Sequence, residues 1–153
     1  MILSGETIRK LGIVRPCSER TVLHGLSYGV GPASYDFRIA EVVDLAPGEF
    51  MLGSAIEEIR MPLNVCAEIK DKSTLARLGL SLFNTWTDPG FYGNLTLELS
   101  NRGPDRIRLP AGAPIGQLVF KFTDAPCVGY SGKYQGQGAA PVAAIFEQED
   151  DGA

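Results

Sequence analysis

Histidine occurs once in this chain, at position 24. A Ser-His-Asp triad therefore has one place to form, in a stretch rich in Gly, Pro and Ser. A zinc site of the H-x-E plus P-C-x-x-C kind is excluded. His24 is followed by Gly25-Leu26, and Pro126-Cys127 by Val128-Gly129-Tyr130. Cysteines are few: Cys17, Cys66 and Cys127 are widely spaced and form no CxxC pair. They read as reduced thiols. Neither a Walker A loop nor a G-x-G-x-x-G fingerprint is present. No apolar run approaches the roughly 20 residues of a membrane span. The opening MILSGETIRKLG lacks the basic-then-apolar layout of a signal peptide. The expectation is a cytoplasmic protein without a membrane partner. Positive charge is also short, with 14 Lys and Arg against 18 Asp and Glu and a net charge of −4. That balance disfavours a nucleic-acid polymer but leaves room for a small anion met by a local basic cluster.

What the chain does have is turns. Eighteen glycines and ten prolines are spread through 153 residues, one domain's worth of chain, and imply many short strands. Ser4–Leu11 reads as one short helix, with Ser4 as N-cap and Gly12 just past its end. Residues 12–33 read as irregular. Tyr35, Phe37 and Ile39 alternate with Asp36, Arg38 and Ala40 as in a half-buried strand. Further strands are expected at Glu49–Leu52, Ile56–Met61, Val65–Ile69, Asn94–Ser100, Arg106–Leu109 and Gly116–Phe122, with a helical turn over Ser73–Leu78. From about residue 130 to 153 the chain turns glycine-rich, then acidic, and reads as a mobile tail ordered by a ligand or a neighbouring subunit. With no βαβ alternation, the architecture is all-β, a barrel or jelly roll over residues 1–153.

Four groups of residues can carry chemistry. Glu98 shares a strand face with Thr96 and Ser100, opposite Leu95, Leu97 and Leu99. Solvent-facing glutamates are common, but a carboxylate in a pocket can move a proton from water to a leaving amine. Ser73 and Arg77 stand four apart in the expected helical turn, with Lys72 beside them. Together they fit either a capped turn or a site for phosphate oxygens. Asp88-Pro89-Gly90-Phe91 fits a plain β-turn, or a carboxylate and a ring closing on a deoxyribose. Lys133-Tyr134-Gln135-Gly136-Gln137 fits a disordered tail or a glycine-rich phosphate grip.

Taken in order, GPASYDFRIA, PGEFMLGSAIEEIRMP, DKSTLARLGL, DPGFYGNLTLELSN, GAPIGQLVF and KYQGQ resemble the dCTP deaminase family of the dUTPase superfamily. The resemblance is strongest to its bifunctional, dUMP-forming branch. It implies a distorted β jelly roll of the dUTPase type and a homotrimer with active sites at subunit interfaces. It implies zinc-independent deamination of dCTP, with onward hydrolysis of dUTP in the bifunctional branch, giving dUMP for thymidylate synthesis. Glu98 would activate water against C4 of cytosine, with Ser73 and Arg77 orienting it and the substrate. Asp88 would hold the sugar 3′-hydroxyl, with Phe91 beside the deoxyribose and Thr96 in the substrate site. Lys72, Thr74, Tyr130, Lys133 and Gln137 would surround the triphosphate, and Mg²⁺ would ride on the phosphates rather than on protein ligands.

Two departures from the family pattern stand out. An insertion usual between Arg38 and Pro47-Gly48 is missing. The segment from Arg77 to Asp88 is two residues short, lacking a Thr-Ala pair whose backbone helps read the base; Phe83-Asn84-Thr85-Trp86-Thr87 stands there instead. Two alternatives stay open: a dUTPase hydrolysing dUTP to dUMP and pyrophosphate, and a nucleotide-binding member without turnover.

Overall fold

The computed structural model describes residues 1–148. The expected mobile tail, about 130–153, extends past them at 149–153. The helix α1 (Gly5–Leu11) forms where its caps dictate. The Ser4 side chain accepts from the Thr7 N–H, and Gly12 closes the other end at φ 62.

Residues 12–33 are not irregular. They hold β1 (Val14–Arg15), β2 (Thr21–Leu23) and β3 (Leu26–Val30). The tight hairpin from β2 to β3 turns on His24 and Gly25, both at positive φ (52 and 75). Two such residues make the primed turn that suits a twisted hairpin. Histidine there hides the signal, because Asn-Gly or Asp-Gly is the usual pair.

The chain continues through β4 (Tyr35–Arg38), β5 (Val43–Leu45), β6 (Phe50–Arg60), β7 (Val65–Asp71), α2 (Ser73–Ala76), β8 (Leu80–Leu82), β9 (Trp86–Thr87), β10 (Tyr92–Asn101), β11 (Ile107–Leu109) and β12 (Pro114–Phe122). The two strands expected at Glu49–Leu52 and Ile56–Met61 are thus one, running through the small residues Gly53, Ser54 and Ala55. Gly53 fits closely there, since an added Cβ would stand 2.6 Å from the end of the Ile39 side chain, which would have to shift.

A six-stranded sheet has the order β2-β3-β4-β12-β7-β9, a four-stranded one β1-β6-β10-β8, and β5 pairs with β11. Every pairing between strands is antiparallel. Phe37, Leu118 and Phe120 from one sheet and Ile59, Leu97 and Leu99 from the other join a single buried cluster. The mostly β architecture with one short N-terminal helix is as the sequence implies.

The polar face of β4 departs from expectation. Asp36 is buried and receives Lys72 Nζ at 2.6 Å, while Ser27 Oγ lies 3.2 Å from both. Glu57, fully buried, accepts from Arg38 Nε at 2.8 Å and from the Arg38 N–H at 2.9 Å. Charges this deep persist only when paired. The alternation identified the inward apolar face, but not that neighbouring elements cover the other face too.

Candidate active site

Strand β10 carries the site. Its residues alternate between buried and half-buried, so Leu97 and Leu99 enter the core while Thr96 and Glu98 face a cavity of about 400 Å³. Leu95, part of the buried core, also touches that cavity, beside a register irregularity between Asn94 and Thr96. The rest of the wall is mostly apolar, with Phe50, Leu52 and Ile69 from β6 and β7. Trp86 closes one side. Lys121 Nζ lies 5.7 Å from its ring centroid and is also paired with Glu68.

Burial pushes the Glu98 carboxyl above the usual carboxylate range, opposed in part by hydrogen bonds from its own backbone and from Asn84. A carboxylate in that condition picks up a proton more readily than one in water.

Asp88 begins a turn in which the Phe91 N–H donates to its carbonyl at 3.2 Å. Pro89 and Gly90 (φ 81) occupy the places a type II turn reserves for them. The turn sets Phe91 at the cavity wall, where Tyr130 packs on it with ring centroids 6.1 Å apart.

The tail crosses this strand. The Tyr130 N–H donates to Pro89 O at 2.8 Å, the Gly136 N–H to Tyr92 O at 2.9 Å and the Asn94 N–H to Gln137 O at 2.9 Å. Gly93, at φ 131, makes the approach possible, since a Cβ there would stand 2.7 Å from the Gln137 backbone. Tyr134, Gln137, Val142 and Ala144 thereby line the cavity.

Of the residues singled out in the sequence, Asp88, Phe91, Thr96, Glu98, Tyr130 and Gln137 come together here. Ser73, Thr74 and Arg77 do not. They sit exposed, Ser73 and Thr74 on α2 and Arg77 just past its end, where Arg77 Nη1 donates to the Ser73 carbonyl at 3.2 Å. Lys72 points inward to Asp36. Lys133 lies outside the cavity wall, its Nζ 3.6 Å from Glu147. No Lys or Arg among the described residues lines the cavity. Among the described residues, no three His, Cys, Asp or Glu side chains are grouped to hold a metal.

Sequence reasoning missed Asn84 and Val142, whereas Tyr134 lay within a segment already singled out. Asn84 and Val142 carry no local signal, since what they do depends on where the loop and tail land.

Comparison with known proteins agrees with this frame. A family model described as dCTP deaminase-like matches residues 37–123. The dUMP-forming dCTP deaminase of Methanospirillum hungatei is 41% identical over 116 residues, covering 72% of this chain and 63% of that protein. The dUMP-forming dCTP deaminase of Aquifex aeolicus is 43% identical over 112 residues, covering 71% and 62%. The chain therefore spans about three-fifths of the length of the curated relatives it matches. Among solved structures, the dCTP deaminase of Agrobacterium tumefaciens superposes with a TM-score of 0.66 at 20% identity, covering 79% of this chain and 48% of that one. The EIAV dUTPase superposes at 0.59 with 16% identity, covering 80% and 98%. These two show the fold alone, one shared by a dCTP deaminase and a dUTPase. Within that fold class, the chain belongs to the dCTP deaminase-like family.

Proposed function

We propose that this protein deaminates dCTP and carries the product on to dUMP and pyrophosphate. The observation that carries the reading is Glu98, a carboxylate with a raised proton affinity, in one apolar cavity with Asp88 and Phe91. The relatives' names specify dCTP as substrate and dUMP as product.

In this mechanism Glu98 takes a proton from water as the oxygen adds to C4 of cytosine. The same proton goes to the amino group, which leaves as ammonia, so that dCTP and water give dUTP and ammonia. The carboxylate thus activates the attacking water, the task that Zn²⁺ performs in other deaminases. Asp88 accepts the sugar 3′-hydroxyl, and the Phe91 ring lies against the deoxyribose, where a 2′-hydroxyl would crowd it.

A triphosphate needs cations that the cavity wall lacks. Lys133 stands nearby on the tail, and Mg²⁺ accompanies the phosphates and offsets their charge. Ser73, Thr74 and Arg77, exposed on α2 and at its C-terminal end, reach the site from a second copy of the chain in a homotrimer. An exposed guanidinium outside its own cavity is suited to that role. The dUMP would leave for thymidylate synthesis in the cytoplasm.

Hydrolysis of dUTP alone is the second reading, favoured by the exposed Asp88 at the cavity, a group able to orient water toward a phosphate. Glu98→Gln separates the two. It should lower dCTP turnover by a factor on the order of 10² to 10⁴ and leave folding intact. Unchanged dCTP turnover in that variant removes Glu98 from the mechanism.

A further inference from the structure

Strand β8 ends at Leu82, opposite Leu99 of β10. The ladder then runs on by one ordinary bond, from the Phe83 N–H to the Glu98 carbonyl at 2.9 Å. The next two positions are taken by a side chain. The Glu98 N–H donates to Asn84 Oδ1 at 3.3 Å, and Asn84 Nδ2 donates to the Thr96 carbonyl at 2.8 Å. A carboxamide offers one acceptor and two donors on a planar group much like a peptide. Asn84 therefore serves as one more peptide unit of β8, while the main chain of residues 83–86 turns away and forms the cavity wall with Asn84, Thr85 and Trp86.

We infer that Asn84 is a positioning residue for Glu98. Its carboxamide keeps the Thr96–Glu98 segment in ladder geometry where β8 departs, and so fixes the Glu98 carboxylate in the cavity. The inference rests on the assignment of Glu98 as the proton-transferring group.

Two observations support it. The segment most in need of support is the one whose bonding partner leaves, and Asn84 bonds to both of its ends. In addition, the Asn84 amide draws the Glu98 carboxyl back down against the upward push of burial. The other titratable groups facing the cavity are Asp88, Tyr130 and Tyr134. None of them bonds to the β10 backbone at Thr96 or Glu98.

Alternatives to asparagine fail for chemical reasons. An ionised aspartate accepts but cannot donate, and it sets a like charge beside Glu98. Leucine fills the volume and leaves two backbone groups without partners. Glutamine keeps both groups on a longer arm.

The test is a direct titration of Glu98 by NMR on the full chain with ¹³C-labelled glutamate, its signal assigned by its loss in Glu98→Gln. Kinetics on dCTP run alongside. In Asn84→Leu and Asn84→Asp, the Glu98 midpoint should rise by about one pH unit. Values of kcat should fall about 10- to 100-fold while KM stays within about threefold. Asn84→Gln should recover part of both effects. A variant that folds but keeps both the wild-type midpoint and the wild-type kcat overturns the inference. The titration needs no turnover. If the wild-type protein is inert toward dCTP, the deaminase reading fails while the midpoint shift still decides the role of Asn84. Should Asn84→Leu fail to fold, Asn84→Asp supplies the same readout.

Discussion

The Thr96 hydroxyl donates to Gln137 Oε1 at 2.6 Å and accepts from the Val142 N–H at 3.0 Å. One side chain, two positions from Glu98, thereby ties two points of the tail to the strand that carries the chemistry. Thr96→Val keeps the shape and removes both bonds. Each such bond contributes about 1 kcal/mol net. Amide exchange over residues 134–146 should therefore speed up by roughly thirtyfold, with the exchange of β6 and β7 unchanged. Binding of a triphosphate should weaken more than binding of the nucleoside. Equal exchange in both proteins would mean that the tail is held elsewhere.

Gly93 offers a harsher version of the same experiment. A valine there meets the Gln137 backbone and adopts a φ that L side chains rarely take. Gly93→Val should expose the tail to limited proteolysis between Tyr130 and Gln148 while the β core resists.

Lys72 and Asp36 form a buried pair with little access to solvent. Lys72→Met should cost about 3–5 kcal/mol, because Asp36 is left charged and nearly unpartnered. Adding Asp36→Leu should return most of that loss. Denaturant melts of the two variants check this. A Lys72→Met protein as stable as wild type would mean that Lys72 spends its time elsewhere, beside a phosphate for instance.

Glu98 has a proton affinity raised by burial, and the sign of its effect on stability follows. Its folded pKa lies above the unfolded one, so between the two values the folded chain binds more protons. Stability from this group is full below the unfolded pKa and falls as pH rises through the folded pKa. Glu98→Gln removes the dependence. The variant should therefore melt at a higher temperature than wild type at pH 8, with the gap closing toward pH 4. A gap that widens at low pH would contradict burial as the cause.

If the site is completed by a second chain, two dead variants should rescue each other. Glu98→Gln and Arg77→Ala, unfolded and refolded together, should form mixed trimers. About a quarter of the sites then hold both native residues under random assembly. Each variant alone should remain inactive. No recovery on mixing would place Arg77 and Glu98 of one site on the same chain.

The sequence showed a good deal of this fold through period and punctuation. Ser4 and Gly12 marked both ends of α1, and Leu95, Leu97 and Leu99 marked the core face of β10. The Asp88-Pro89-Gly90 turn was legible because each of its residues is favoured by its own backbone geometry. The β2–β3 hairpin was not, because His24 takes a positive φ that its type rarely announces. Nor was the burial of Asp36, since alternation reports only which side of a strand is apolar. The site was read as a set of residues rather than as an arrangement. Glu98, Asp88 and Phe91 meet in one cavity, while Lys72 faces the interior and Arg77 stands apart at the end of α2. Asn84 stayed hidden because its role exists only where β8 leaves β10.

The most direct test of the central claim is to incubate the pure protein with Mg²⁺ and either dCTP or dUTP and separate the products by chromatography. The account predicts that dCTP is consumed and that dUMP, pyrophosphate and ammonia appear. Consumption of dUTP with dCTP untouched, or of neither, would contradict it.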